Sequence, residues 1–130
     1  MPTNKVTFIL IVEDSEDNRE ILRFVLRSIG YGVLEAANGQ QAVDLFKTRR
    51  PDLILMDLSM PVLDGYGAAR KIREMDEGSV IPIIAISAHA TLDHRAKAVA
   101  VGFNDYLTKP IDFVELELVL HRHLNTAPTT

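Results

Sequence analysis

Five side chains able to do chemistry stand at or directly after short apolar runs of this 130-residue chain. Glu13 and Asp14 follow the first run, Asp57 follows the third, Ser87 closes the fourth and Lys109 follows the fifth. If these runs are neighbouring parallel strands, their carboxyl ends meet at one edge of a sheet, where ligands bind in such folds. The sequence therefore predicts three carboxyl groups, a hydroxyl and an amine on one rim.

Three carboxylates on one rim repel one another, and the repulsion requires a counter-charge. Oxygen ligands without His or Cys suit a hard cation, and Mg²⁺ that keeps several waters fits best. Such a cation and Lys109 together would stabilise the charge that spreads over a phosphoryl group during transfer. A carboxylate can itself accept that group as an aspartyl phosphate. We therefore expect metal-assisted phosphoryl transfer to an aspartate, and a raised pKa for at least one of the acids.

The composition is that of one soluble globular domain. Hydrophobic residues make up 47% and charged residues 25%, which excludes a disordered or low-complexity chain. The 14 Lys and Arg against 18 Asp and Glu give a net charge of −4, so we expect neither direct nucleic-acid binding nor attraction to anionic lipid. Without cysteine there is no disulfide or thiolate site. No apolar run is long enough for a signal peptide or membrane insertion, so a cytoplasmic location is expected.

Short apolar runs alternate with longer segments of helical periodicity along the whole chain. The predicted strands are residues 6–12, 32–36, 52–56, 81–87 and 105–108, and the predicted helices are 15–29, 39–49, 66–75, 92–101 and 112–124. This alternation predicts parallel strands joined by right-handed crossovers. The expected fold class is α/β, a doubly wound five-stranded parallel sheet with five helices. We expect one domain over residues 1–125, a loose tail over 126–130 and no separate output domain.

Four motifs together closely resemble the receiver domain of two-component response regulators, including the single-domain chemotaxis type. They are IVED at residues 11–14, LILMDLSMPVLDG at 53–65, IIAISA at 83–88 and YLTKPI at 106–111. One motif alone would be weak, but four in this order at successive strand ends are specific. The resemblance extends from about Thr7 to Leu124. It implies the flavodoxin-like strand order 2-1-3-4-5, of which the chemotaxis member is a standard example.

The resemblance implies which residues accept phosphate and bind metal. Asp57 would be the phosphoacceptor, and Mg²⁺ would be the cofactor. The implied metal ligands are Glu13, Asp14, Asp57 and the backbone carbonyl of Ser59. The first acid is Glu where Asp is equally familiar, so Glu13 would reach the metal through water. The position of Ser59 varies in the family and tunes loss of the phosphate.

The resemblance also implies how the phosphate is sensed and who donates it. Ser87 and Lys109 would contact phosphoryl oxygens, Tyr106 would be the aromatic switch residue, and the bond between Lys109 and Pro110 would be cis. A histidine kinase or histidine phosphotransfer protein would be the donor. The surface formed by the fourth helix, fifth strand and fifth helix would then bind an unidentified downstream protein. Such a domain is not an enzyme, although it phosphorylates itself from small donors and dephosphorylates itself.

Each of these residues, taken singly, also has a structural explanation. Asp14 and Ser87 are of helix-capping types, and Asp57 is of a type that often begins a loop. Lys109 could be a surface lysine and Tyr106 a half-buried strand aromatic. All five explanations would have to coincide, so the joint pattern favours a functional site.

Three other interpretations of the same residues remain open from the sequence. A Mg²⁺-dependent phosphohydrolase with an aspartyl nucleophile would need a second acid two residues after Asp57, where Ser59 stands. A flavodoxin-like nucleotide or flavin binder would need a Gly- or Ser/Thr-rich phosphate loop after the first strand, where this chain has acids. The third interpretation is a receiver fragment of a hybrid histidine kinase.

Overall fold

Strands and α-helices alternate along the chain in the predicted order. The structure is a computed structural model that describes residues 6–60, 62–75, 77–89 and 91–124. These ranges contain five strands, five α-helices and one short 3₁₀ helix, Glu77–Ser79, which the sequence did not predict. The predicted tail over residues 126–130 lies outside the described residues.

The five strands form one parallel sheet. They are β1 (Phe8–Val12), β2 (Gly32–Ala36), β3 (Leu53–Asp57), β4 (Ile83–Ser87) and β5 (Asp105–Thr108). Every neighbouring pair is parallel, and the order is β2-β1-β3-β4-β5, which confirms the predicted topology. Strands β3 and β4 are buried along their whole length. Because the sheet is covered on both faces, these strands read as continuous apolar runs rather than as alternating ones.

The helices cover the two faces of the sheet in two groups. They are α1 (Glu16–Ile29), α2 (Gly39–Arg49), α3 (Gly65–Arg73), α4 (Leu92–Val101) and α5 (Phe113–Leu124). Leu26 of α1 and Leu120 of α5 belong to one buried cluster, whereas Phe46 of α2, Ile72 of α3 and Ala98 of α4 belong to the other. Ala98 is the single buried residue of α4, so this helix is the least firmly packed of the five. Within the described ranges, no helix is long and apolar enough to cross a membrane.

Local chemistry moves several boundaries by one or two residues from their predicted positions. Strand β4 begins at Ile83 rather than at residue 81, because Pro82 has no amide hydrogen for the sheet. Helix α5 begins after Asp112, whose carboxylate accepts the amides of Val114 and Glu115 and so caps the helix. The N-cap of α1 is Ser15, which accepts the amide of Asn18. Asp14 is therefore not the helix cap.

Strand β3 ends one residue later than predicted, and this matters for the site. Asp57 is the last residue of the strand and stands opposite Ile86 of β4 in the parallel register. The carboxyl group is thus carried by the sheet rather than by the following loop. A side chain anchored in this way has little freedom to move, because the backbone on which it stands is hydrogen-bonded to a neighbouring strand.

Candidate functional site

The structure brings the three predicted acids and the predicted lysine together at the carboxyl edge of the sheet. One carboxylate oxygen from each of Glu13, Asp14 and Asp57 lies within 4.8 Å of the others. Lys109 Nζ lies 2.9 Å from Asp57 Oδ2 and 3.2 Å from Glu13 Oε1. The pairing of β1 beside β3 produces this meeting, because both strands reach the edge at the same level.

Asp57 is a buried carboxylate with two protein donors. Its side chain is 4% exposed, Oδ2 accepts a hydrogen bond from the ammonium of Lys109, and Oδ1 accepts one from the backbone amide of Ser59 at 2.9 Å. A buried charge persists only when it is paired and hydrogen-bonded. The Lys109 ammonium and the Ser59 amide provide this pairing and hydrogen bonding for Asp57.

Glu13 is buried and has all its polar groups engaged by the protein. Its amide donates to the carbonyl of Ala36 at 3.1 Å, and Oε2 accepts the amide of Ser15 at 3.1 Å. Oε1 accepts from Lys109 at 3.2 Å and from Asn18 Nδ2 at 3.5 Å. The carboxylate therefore occupies the positive N-terminal end of α1, where the helix dipole stabilises a negative charge. The contacts leave Glu13 little freedom to turn towards a cation.

Asp14 differs from Glu13 because its side chain is exposed. The hydrogen bond with the Glu13 carboxyl is the largest cause that raises the pKa of Asp14, and burial and the Glu13 charge raise it further. This direction agrees with the expectation that crowding of the acids disfavours ionisation. Asp14 is therefore the acid of the cluster whose charge the protein itself compensates least.

The surroundings of Lys109 shift its pKa in opposite directions. Burial alone would lower the pKa of Lys109, but hydrogen bonds and charges from Asp57 and Glu13 together raise it above its usual value. The peptide bond to Pro110 is cis, as the resemblance implies, and the Lys109 amide donates to the carbonyl of Ser87 at 2.9 Å. The ammonium group is thus held as a cation between two acids.

The loop after β3 packs tightly against the strand end that carries Asp57. A Cβ atom on Gly65 would lie 2.4 Å from the Asp57 carbonyl oxygen and 2.8 Å from the Leu58 Cα atom, so only glycine fits. The Gly65 amide donates to the Leu58 carbonyl at 3.3 Å. Ser59, two residues after Asp57, is exposed. The start of α3 is therefore fixed against the cleft.

Ser87 and Tyr106 are linked to each other through His89. Ser87 is 5% exposed, and its Oγ accepts the amide of His89 at 3.0 Å. The Tyr106 hydroxyl donates to the carbonyl of the same His89 at 2.5 Å, and Tyr106 as a whole is 8% exposed. The guanidinium carbon of Arg95 lies 4.7 Å from the centre of that ring. A displacement of Ser87 would therefore reach Tyr106 through one residue of loop.

Four residues of this neighbourhood were missed in the sequence interpretation: Asn18, Arg19, His89 and Arg95. Asn18 and Arg19 lie near the start of α1. Asn18 contacts the side chain of Glu13, and Arg19 contacts the backbone carbonyl of Glu13. Polar residues one turn after an acidic pair are the signal that could have identified them. No sequence signal identifies His89, because it acts through its backbone.

The donor set of the three acids fits a hard divalent cation. The group consists of carboxylate oxygens, two from buried residues and one from an exposed residue, and it contains no nitrogen or sulfur ligand. Such oxygen sites suit Mg²⁺, which is bound by one or two carboxylates and keeps several waters. The exposed Asp14 leaves room for those waters. The residues present therefore fit Mg²⁺.

The sequence profile described as the response regulator receiver domain matches residues 9–121 of the chain. The chain belongs to this family. Receiver domains are the phosphoacceptor modules of two-component signalling and are generally not enzymes. The predicted family, fold and broad function are thereby confirmed.

Two solved structures and one curated relative illustrate the similarity. The receiver domain of a sensor histidine kinase from Pseudomonas aeruginosa, crystallised with Mg²⁺ in its active-site cleft, is 43% identical with a TM-score of 0.87, over 94% of this chain and 100% of that one. The receiver domain of Ssk1 from Saccharomyces cerevisiae, in complex with the histidine phosphotransfer protein Ypd1, is 33% identical with a TM-score of 0.86, over 95% and 92%. A protein of Porphyridium aerugineum named "Probable transcriptional regulator ycf27" is 38% identical over 84% of this chain, which spans 44% of that protein's length.

Proposed function

We propose that this receiver domain accepts a phosphoryl group on Asp57, with Mg²⁺ held beside it, from a phosphohistidine of a histidine kinase or histidine phosphotransfer protein. The observation that carries the proposal is the meeting of three carboxylate oxygens within 4.8 Å around a buried, lysine-paired Asp57. The complex of the similar Ssk1 receiver with Ypd1 supports this donor class.

In the proposed transfer, a carboxylate oxygen of Asp57 forms a bond to phosphorus. The bond between phosphorus and the histidine nitrogen breaks, and that nitrogen keeps the electron pair. Because the other ring nitrogen carries a proton, the leaving group is neutral imidazole. Asp57 is suited to this role because burial and the strand ladder fix its carboxylate at the edge of the cleft. The acyl phosphate that forms is labile, as a reversible signal requires.

Asp14, Asp57 and the Ser59 carbonyl are the groups that would hold Mg²⁺ directly. Glu13 would act through water, because Ser15, Asn18 and Lys109 already engage its carboxylate. When bound, Mg²⁺ supplies positive charge that offsets the repulsion between the acids and the incoming phosphoryl oxygens. Of the three acids, Asp14 is the one whose charge the protein compensates least, so its exposed carboxyl would be stabilised most by the cation.

Lys109 and Ser87 are the residues that would respond to the phosphoryl group. Lys109 would exchange its contact with Asp57 for a phosphoryl oxygen, because phosphorylation converts that carboxylate into an acyl phosphate. Ser87 would release the His89 amide and donate its hydroxyl to another phosphoryl oxygen. His89 also holds the Tyr106 hydroxyl, so this change would alter the surface formed by α4, β5 and α5. The sparse packing of α4 makes that helix the element easiest to displace.

Incubation with acetyl phosphate and Mg²⁺, followed by intact-mass analysis, tests the acceptor and the metal requirement. The parent chain should gain one phosphoryl group in Mg²⁺ and none in EDTA, and the Asp57→Asn variant should gain none. Asp17→Asn is the matched control, since Asp17 is an exposed acid near the start of α1. The proposal is wrong if Asp57→Asn is phosphorylated as readily as Asp17→Asn.

A phosphorylated histidine phosphotransfer protein tests the donor class. Radiolabel on its histidine should move to the parent chain and to Asp17→Asn, but not to Asp57→Asn. Labelling of the parent by acetyl phosphate but by none of a panel of phosphohistidine proteins would contradict the proposed donor while leaving the acceptor intact.

A further inference from the structure

Arg19 makes a contact with the acidic pair that the transfer itself does not explain. Its Nη1 donates to the backbone carbonyl of Glu13 at 2.7 Å, and its side chain is only 14% exposed. That carbonyl belongs to the peptide group that joins Glu13 to Asp14. Arg19 therefore holds the peptide plane from which the exposed carboxyl of Asp14 projects.

Two acids orient the guanidinium of Arg19 for this contact. Nε lies 3.4 Å from Glu35 Oε1 of strand β2, and Nη2 is paired with Glu16 in the first turn of α1. A guanidinium is planar and presents its donors in a rigid fork, so fixing two of its nitrogens also fixes the third. The Nη1 donor is thus aimed at the Glu13 carbonyl by groups on two different elements.

We propose that Arg19 is a positioning residue for the cation site. By holding the peptide between Glu13 and Asp14, it sets the position of the Asp14 carboxyl relative to Asp57. This inference rests on the proposed function, because it takes Mg²⁺ as the cation that the acids bind. Residues that orient metal ligands without touching the metal commonly change affinity by 10- to 100-fold when they are replaced.

The positioning role and simple electrostatics predict opposite results. Arg19 carries a positive charge near the acids, so its removal would tighten Mg²⁺ binding if charge alone mattered. Loss of positioning would weaken binding instead. The direction of the change in affinity therefore distinguishes the two effects.

Arg23 provides a matched control within the same ion-pair network. It lies one turn further along α1, its Nη1 is 2.7 Å from Glu35 Oε2, and its Nη2 is 3.9 Å from Glu16 Oε1. The described ion pairs of Arg23 are with these two acids and not with Glu13. Replacing Arg23 therefore removes one positive charge and its ion pairs with the same two acids. The hydrogen bond from Arg19 to the Glu13 carbonyl stays in place.

The test is calorimetric titration of Mg²⁺ into unphosphorylated parent chain, Arg19→Gln, Arg19→Lys and Arg23→Gln, with urea unfolding of each in EDTA. We expect Arg19→Gln to bind Mg²⁺ about tenfold more weakly. Arg23→Gln should bind as the parent does or slightly more tightly, although both Gln variants should lose similar stability. Arg19→Lys keeps the charge without the planar fork and should bind severalfold more weakly, and it decides the test if Arg19→Gln does not fold.

Parent-like or tighter binding by the folded Arg19 variants would overturn the positioning role and leave the proposed function standing. A parent chain that binds no Mg²⁺ would overturn the metal site and the positioning role together. Equal weakening in Arg19→Gln and Arg23→Gln would also overturn the positioning role, because it would assign the effect to the shared network.

Discussion

The ammonium of Lys109 lies 2.9 Å from Asp57 Oδ2, so the residue that follows β5 forms an ion pair with the acid that ends β3. The same ammonium reaches Glu13 Oε1 at 3.2 Å, at the end of the first strand. Lys109 therefore links the ends of three strands. Removal of the Lys109 ammonium should therefore have two separate effects, one on Mg²⁺ binding in the cleft and one on transmission of the signal to α4 and β5.

Replacing Lys109 with Ala should leave Mg²⁺ affinity unchanged or increase it, because a competing positive charge disappears. Phosphorylation of this variant should no longer shift the backbone amides of α4 and β5, since no ammonium follows the phosphoryl group. The measurement is NMR of amide shifts with and without phosphodonor, with Lys71→Ala, an exposed lysine of α3, as the control. Parent-like shifts in phosphorylated Lys109→Ala would contradict the role.

Asp14→Asn should raise the stability of the metal-free chain at neutral pH. The pKa of Asp14 is raised in the folded state, so the folded chain binds more protons than the unfolded chain between the two pKa values. Stability from this group consequently falls as pH rises through that window and stays low above it. Because solvent screens the exposed carboxyl, the gain should be only about 0.5 kcal/mol by urea unfolding in EDTA.

Mg²⁺ should reverse the ranking of the parent and Asp14→Asn. Saturating cation stabilises the parent by mass action, about 2.7 kcal/mol at a hundred times the dissociation constant. Asp14→Asn should gain less, because it loses a ligand. Asp57→Asn is a poorer test of charge relief, because Lys109 loses one of its two acidic partners in that variant. A parent chain indifferent to Mg²⁺, with a destabilised Asp14→Asn, would mean that Asp14 is structural.

Gly65→Ala should destabilise the chain by about 1–3 kcal/mol, the usual range for overpacking in a tight site. The added Cβ would lie 2.4 Å from the Asp57 carbonyl oxygen, which is backbone and has no room to move. Gly67→Ala in the same helix is the control, because its Cβ would meet the flexible end of the Leu63 side chain. Alanine is also the better helix former there. Equal melting temperatures of the two variants would argue against the close packing of α3 on the end of β3.

Asp105 should contribute stability that is lost in acid. Burial alone would raise the pKa of Asp105, but hydrogen bonds from the Tyr106 amide and His123, with the charge of Arg122, bring it below the usual value. The contribution is therefore complete above the unfolded pKa, near 3.9, and disappears as pH falls through the folded pKa. Unfolding free energy measured across the acid range should fall less steeply for Asp105→Asn than for Asp44→Asn, an exposed acid of α2. Identical slopes would contradict the assignment.

The sheet and the cluster of polar groups at its carboxyl edge could be predicted from sequence. Both depend on the spacing of apolar runs and on which residue follows each run. Buried strands such as β3 and β4 read as apolar runs, and the residue after each run lies at a common edge once the strands are parallel. Asp57, Glu13 and Lys109 could thus be placed together without coordinates. The one-residue shift that puts Asp57 inside β3 depends on its pairing with Ile86, which no local pattern records.

The residues that orient the site could not be predicted in the same way. The target of the Arg19 guanidinium depends on where Glu35 and the Glu13 carbonyl lie in three dimensions, and a polar helix position gives no information about that. His89 joins Ser87 to Tyr106 through its amide and carbonyl, which every residue possesses. Contacts made by backbone groups leave no mark in residue type.

Identifying the residue that carries the phosphoryl group is the most direct test of the proposal that Asp57 is the phosphoacceptor. The chain is phosphorylated with acetyl phosphate and Mg²⁺, reduced with borohydride, which converts an aspartyl phosphate to homoserine, and digested for peptide mass analysis. Homoserine should appear at position 57 of the parent chain and of Asp17→Asn, and nowhere in Asp57→Asn. Homoserine at another acid, or phosphate held at a residue that borohydride does not reduce, would contradict the account.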